Sequence, residues 1–353
     1  MLSRTADHLF WMSRYTERAE NTARLLDVNY QTSLLPQSEA VALVGWQGLI
    51  SISELMPAYT KKYGDVRARD VMDFMVKDES NPSSIMSCLS AARENARAVR
   101  GTLTTEVWET QNQTWIEVRR MIKSGASEAD PGQFFEWVKF RSHLSRGVTV
   151  GTMMQDESFH FLRIGSFLER ADNTARLLDV KFHAVESEYH GFSNGNGNGP
   201  SQSQSQSQSQ SQSQSQSQSH GSGAGVNASR DTEVDFYHWS GILRSVSGFE
   251  VYRKAYRNVI RPEKVAELLI LRPDMPRSLA ACMNEVVTNL KMVANEQSSD
   301  TLRKAGRLQS DLQYGRIDEI LATGLHAYLT QFLDRVGDLG VGISRDFLVP
   351  MEA

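Results

Sequence analysis

LFWMSRYTERAENTARLLDV, from Leu9 to Val28, and FLRIGSFLERADNTARLLDV, from Phe161 to Val180, are one motif written twice. Eleven of the 20 aligned positions are identical, where unrelated segments of average composition would share roughly one. In the first copy Leu9, Met12, Thr16, Ala19, Ala23 and Leu26 recur at steps of three and four. Phe161, Ile164, Leu168, Ala171, Ala175 and Leu178 do the same in the second. That spacing is the stripe of an amphipathic helix, so both segments are expected to be helical with one buried face.

Working outward, the likeness continues more weakly. Trp46-Gln47-Gly48 pairs with Trp239-Ser240-Gly241, and Tyr59 and Tyr63 pair with Tyr252 and Tyr256. Pro82, Ser84, Cys88 and Asn95 pair with Pro276, Ser278, Cys282 and Asn289, and His8 with His160. Helix-length windows such as Glu39 to Met56, Ser84 to Lys123 and Thr301 to Ala322 lie between the prolines. Alternating strand patterns bounded by tight-turn dipeptides are absent. The expected fold is all-α: two tandem homologous helical bundles with an approximate two-fold internal repeat.

One segment breaks the pattern. Ser201 to Ser219 is a strict Ser-Gln alternation, flanked by NGNGNGP and HGSGAG. With almost no apolar side chains it cannot offset the entropy cost of ordering its backbone. The expected organisation is a first helical repeat over 1–154, then a motif helix opening the second repeat over 155–190. A flexible linker or insertion follows over 191–229, and the rest of the second repeat fills 230–353.

Lys and Arg number 38 against 42 Asp and Glu, a net charge of -4. That balance argues against a broadly basic nucleic-acid-binding surface. No uncharged apolar run approaches the roughly 18–20 residues that span a bilayer, so no membrane partner is expected. The first residues become charged too soon for a secretory signal, and two cysteines suit a reducing compartment; a cytoplasmic location is expected.

On a helix at 100° per residue, Glu17, Asn21 and Arg24 fall within about 60° of one another, nearly opposite the apolar stripe. Glu169, Asn173 and Arg176 repeat them, and Arg18 and Arg170 adjoin the two glutamates. Such a face is either a polar site gripping a peptide or phosphate, or a buried network setting the register of the two motif helices. A merely solvated face would drift between copies, because surface substitutions usually change stability by only about 0.5 kcal/mol. Arg93, Arg97 and Arg100 form a second charged band that an anion could occupy; the other copy retains only part of it. Glu157-Ser158-Phe159-His160 has the spacing of di-iron bundle ligands, but Thr5-Ala6-Asp7-His8 lacks the carboxylate, so no metal is expected. Cys88 and Cys282, beside Leu89 and Met283, read as core residues rather than nucleophiles. There is no P-loop, nucleophile elbow or dinucleotide fingerprint, and no cofactor is expected.

RYTERAENTARLL (Arg14 to Leu26), SFLERADNTARLL (Ser166 to Leu178) and CLSAARENARAVR (Cys88 to Arg100) resemble the bacterial alpha-E family, named for a helical fold and a Glu-Arg motif. The resemblance covers both halves apart from the Ser-Gln tract. Proteins of that family tend to occur beside, or fused to, circularly permuted ATP-grasp and transglutaminase-like proteins, in systems thought to build or modify peptides through amide bonds. The resemblance implies an accessory helical subunit that holds an ATP-grasp amide ligase, a transglutaminase-like enzyme or their peptide substrate. The alternatives are a peptide-acting enzyme that uses the Glu-Asn-Arg face, and a purely structural homo-oligomer.

Overall fold

The computed structural model describes residues 1–36, 38–193 and 239–348, and helices are the only regular secondary structure among them. The Ser-Gln tract lies outside the described residues. The expected linker begins at Gly191, whereas the helix before it continues to Ser193.

Two long helices carry the repeated motif: α1 (Ser3–Ser33) and α9 (Glu157–Ser193). Between them come α2 (Glu39–Ile52), α3 (Met56–Tyr63), α4 (Ala68–Val76), α5 (Ile85–Ala98), α6 (Thr105–Lys123), α7 (Ala126–Ala129) and α8 (Pro131–Thr152). After α9 the described chain resumes in α10 (239–245), followed by α11 (Phe249–Tyr256), α12 (Pro262–Leu271) and α13 (Leu279–Met292). It ends in α14 (Ser299–Tyr314), α15 (Ile317–Thr323) and α16 (Leu325–Phe347). The motif helices form the centre. α1 packs on α9 and is enclosed by α5, α8 and α2, while α9 is enclosed by α13, α16 and α2.

Local chemistry explains where the helices stop. The window from Ser84 to Lys123 divides because Ser84 caps α5, accepting from Ser87 N–H, and Thr104 caps α6, accepting from Val107 N–H. Ser278 caps α13 in the same way as Ser84 caps α5. The window from Glu39 to Met56 is cut at Glu54, whose φ of 55° is left-handed. There Leu55 N–H reaches back to Ile50 O at 3.1 Å, closing a Schellman-type turn. Ser247, with φ 52°, ends α10 identically: Gly248 N–H reaches Leu243 O at 2.7 Å.

Along the stripes, Leu9, Met12, Ala19, Ala23 and Leu26 of α1 are buried, as are Phe161, Ile164, Leu168, Ala171, Ala175 and Leu178 of α9. The core is continuous across the whole described chain. No described helix is long and apolar enough to cross a membrane.

Candidate functional site

The two motif helices run side by side in the same direction. The Met1 amino group reaches Glu157 at 2.6 Å, and further along Arg14 Nε donates to Glu169 at 2.8 Å. The helices touch at Gly165, where an added Cβ would lie 2.2 Å from Ser13 Oγ and 2.4 Å from Phe10 O. Gly165 is the residue that aligns with Ser13 in the motif. Absence of a side chain at this crossing brings the next turn's charged residues within reach of each other.

There the two Glu-Arg dipeptides exchange partners. Arg170 Nε and Nη2 donate to Glu17 Oε1 and Oε2 at 2.8 and 2.9 Å. Arg18 Nε and Nη2 donate to Glu169 Oε1 and Oε2 at 2.6 and 3.1 Å. Each guanidinium forks onto the carboxylate of the opposite helix, the geometry that gives charge-assisted bonds their strength. The register of α1 against α9 is thereby fixed twice.

On the Glu17 side the network goes deeper. Arg277, just before α13, donates to Asn21 Oδ1 at 2.8 Å and also contacts Glu17 and Glu20. Arg146 of α8 bridges the same two glutamates, and Ser142 Oγ donates to Glu20 at 2.7 Å. Arg24 Nε donates to Glu20 at 2.8 Å. Four guanidinium groups thus meet two carboxylates, of which Glu17 is 1% and Glu20 0% exposed.

Burial alone would raise the pKa of Glu17, but Arg170 and Arg277 outweigh it and hold the group below its ordinary range. Arg277, Arg146 and Arg24 do the same for Glu20, holding it well below that range against its burial. Glu169 is likewise buried, yet Arg14 and Arg18 hold it at about 2. The cation excess shows at Arg277: burial, aided by Arg170 and Arg24 and opposed by the glutamates, lowers it to about 10.

At its outer edge the network opens. Arg24 Nη1 donates to Ser247 Oγ at 2.6 Å, and its Nη2 lies 3.3 Å from His143 Nε2. Arg146 Nη2 lies 2.6 Å from Nδ1 of the same ring. Arginine only donates and a neutral imidazole accepts at one nitrogen, so these two contacts cannot both be hydrogen bonds. Burial and the adjacent arginines lower the pKa of His143, against the pull of Glu20, which favours that neutral ring.

The second copy is built differently, contrary to the expectation from matching sequence. Asn173 is half-buried and its side chain joins no hydrogen bond among the described residues. Arg176 is half-buried and pairs with Asp172 at 2.7 Å and with Glu54. The asymmetry comes from outside the motif: Arg277 lies between the matched Pro276 and Ser278, where the first half has Ser83.

Sequence reading missed Glu20, Arg146, Arg277, His143 and Ser247. For Glu20 a signal existed, because an acid stands four residues before the motif arginine in both copies, Glu20 to Arg24 and Asp172 to Arg176. Arg146 and Arg277 are single arginines with no such spacing to mark them. In the other band, Arg93 and Arg97 pair with Glu94, and Arg93 and Arg100 lie over the Trp108 ring at 5.9 and 5.2 Å. These three therefore make a separate group around Glu94 and Trp108. Glu157 holds the amino terminus while His160 Nδ1 faces Asn289 Oδ1 at 2.8 Å, so the two do not converge. Cys88 and Cys282 are buried, and burial pushes both thiols up to about 12. Beside the network, between α1, α8 and α9, lies a cleft of about 40 Å³ bordered by Ser13, Ser145, Thr149 and Phe167.

A family model described as Alpha-E, a predicted alpha-helical domain with a conserved ER motif, matches residues 1–348. The chain belongs to that family. In this chain Glu-Arg occurs at Glu17-Arg18 and Glu169-Arg170, the two dipeptides that exchange partners across α1 and α9. Among curated proteins and among solved structures nothing matches.

Proposed function

We propose that this Alpha-E protein is an accessory helical scaffold, built as two homologous repeats, for an ATP-grasp amide ligase and a transglutaminase-like enzyme acting on peptides. The observation that carries the scaffold role is the reciprocal exchange between Glu17-Arg18 and Glu169-Arg170. A general base must reach its substrate with a pKa near the working pH. These carboxylates instead lie buried against arginines that hold them ionised far below neutrality. Their role is to lock two long helices in register.

The duplication is supported by paired details beyond the motif. His8 Nδ1 meets Asn95 Oδ1 at 2.8 Å, as His160 meets Asn289 at 2.8 Å. Tyr59 Oη accepts from Arg67 N–H at 3.3 Å, and Tyr252 Oη accepts from Arg261 N–H at 3.0 Å. The left-handed residues Glu54 and Ser247 sit at equal spacing from the paired tryptophans Trp46 and Trp239.

A partner-binding role is supported by α8. Phe140 is 70% exposed, with Leu144 also exposed and Gly147 and Gly151 further along the same face, and Met154, two residues beyond the helix, is 77% exposed. The test is co-purification of the tagged full chain from its native cell, followed by ligase turnover with this chain present and omitted. An ATP-grasp or transglutaminase-like protein captured in stoichiometric amount, with turnover lowered by omission, is expected. Turnover of a peptide by the isolated chain would overturn the accessory role, as would unchanged turnover on omission.

A further inference from the structure

Arg24 and Arg176 hold the same pose in the two halves. Each donates Nε to an acid four residues earlier, Glu20 at 2.8 Å or Asp172 at 2.7 Å. Each directs Nη1 at the left-handed residue that ends a helix of the opposite half. For Arg176 that residue is Glu54, and a carboxylate receives the guanidinium. For Arg24 it is Ser247, and only a hydroxyl is present.

The missing carboxylate falls where cations are in excess. Arg24 shares Glu20 with Arg146 and Arg277, whereas Arg176 has Asp172 and Glu54 to itself. His143 occupies the gap through contacts that cannot both be hydrogen bonds, and its ring and Ser247 are exposed to solvent. A carboxylate entering here would give Arg24 and Arg146 a charged acceptor where they now meet a hydroxyl and one shared ring, would accept from Ser247 Oγ, and would turn the His143 ring outward.

We infer that the mouth formed by Arg24, Arg146, His143 and Ser247 binds the carboxylate of a peptide, in the position that Glu54 fills beside Arg176. The chain itself supplies the pattern for the ligand: an amino-acid carboxylate on a left-handed turn, received by the same guanidinium edge. The exposed apolar face of α8 adjoins His143 along the helix and gives flanking side chains a surface. This inference rests on the repeat but not on the identity of any partner enzyme, so its failure would leave the co-purification result standing.

Calorimetry on the full chain tests it with three capped probes: acetyl-triglycine with a free C-terminus, its C-terminal amide, and acetyl-Gly-Glu-Gly-amide. The first or third is expected to bind in the millimolar range and the amide not at all; whichever binds identifies a terminal or a side-chain carboxylate. Ser247→Glu should weaken that probe at least tenfold, because an internal carboxylate then fills the mouth as Glu54 does. This variant keeps the buried network intact, and a melting temperature no lower than that of the parent chain checks its fold. Arg146→Gln should weaken binding as well. No heat from either carboxylate probe would overturn the assignment. So would equal binding of the amide, or a Ser247→Glu affinity equal to that of the parent chain.

Discussion

Glu17→Gln and Glu169→Gln remove the same charge from the same dipeptide, and the structure requires them to differ. Glutamine keeps the shape and one acceptor, so each variant reports chiefly on the charge. In Glu17→Gln, Arg170 loses the one carboxylate it pairs with among the described residues, while its side chain is 7% exposed. Arg277, 8% exposed, is left with Glu20 alone, which it already shares with Arg24 and Arg146. Cations enclosed in this way cannot rehydrate. Breaking a buried pair on one side costs about 3–5 kcal/mol, and the upper part of that range is expected here.

In Glu169→Gln the stranded groups are Arg14 and Arg18, with side chains 18% and 27% exposed. Both also lie over aromatic rings, Arg14 above Trp11 at 5.1 Å and Arg18 above Tyr15 at 5.7 Å. Water and those ring faces take up part of the lost interaction. A carboxyl held at about 2 rather than 4.5 contributes on the order of 3 kcal/mol at neutral pH, which sets the scale of the loss. About 2 kcal/mol is expected. Urea melts of the two variants at pH 7, analysed with a common slope, give the comparison. Equal midpoints, or a larger loss for Glu169→Gln, would refute the idea that enclosure of the arginines sets the cost.

Acid titration gives a second measurement. Glu17, Glu20 and Glu169 all have folded pKa values below their unfolded ones, so their stabilisation is complete above about pH 5 and is lost as pH falls towards 2. Parent-chain stability should drop steeply across that window, and Glu169→Gln should flatten the drop; an unchanged acid limb would count against the assignment. Gly165→Ala places a methyl against Phe10 O, a backbone atom that cannot turn aside, so α1 and α9 must separate. A loss of about 1–3 kcal/mol in a urea melt is expected, and a neutral result would mean that the helices do not touch there. Arg176→Ala should stay within about 1 kcal/mol of the parent chain, since its partner Glu54 is 74% exposed.

The stripes at Leu9 to Leu26 and Phe161 to Leu178 were legible because burial selects apolar residues at helical spacing, which survives in any one copy. The polar trio was legible for another reason: its duplication marked it as something more than a solvated face. Sequence could not show that Glu17 takes its arginine from α9 rather than from Arg24 two turns along the same face, since that choice is made by the crossing at Gly165. Nor could it show that Arg24 and Arg176 lie in unlike surroundings. Identical motif text specifies the helix and the direction of the side chain, while the partners come from Arg146, Arg277, Glu54 and Ser247, none of which repeats.

In the duplicated scaffold proposed above, inequality between the halves is where the repeat gains a use. In a symmetric pair both motif arginines would be neutralised by the chain, and both turns would be closed. Here the half built on α9 is closed by Asp172 and Glu54, and the half built on α1 gathers Arg146 and Arg277 without adding a carboxylate. Two opposing demands meet in that second arrangement. Buried arginines must be offset for the bundle to be stable, and Glu17 and Glu20 offset them in part. The remaining positive charge sits at the one edge where Arg146 and His143 reach solvent, so an outside carboxylate there would stabilise the fold and be bound by the same interaction. Ser247→Glu separates these effects: an internal carboxylate should raise the urea midpoint while weakening peptide binding at least tenfold. A midpoint that falls in a folded Ser247→Glu variant would show that the edge has no charge left to neutralise.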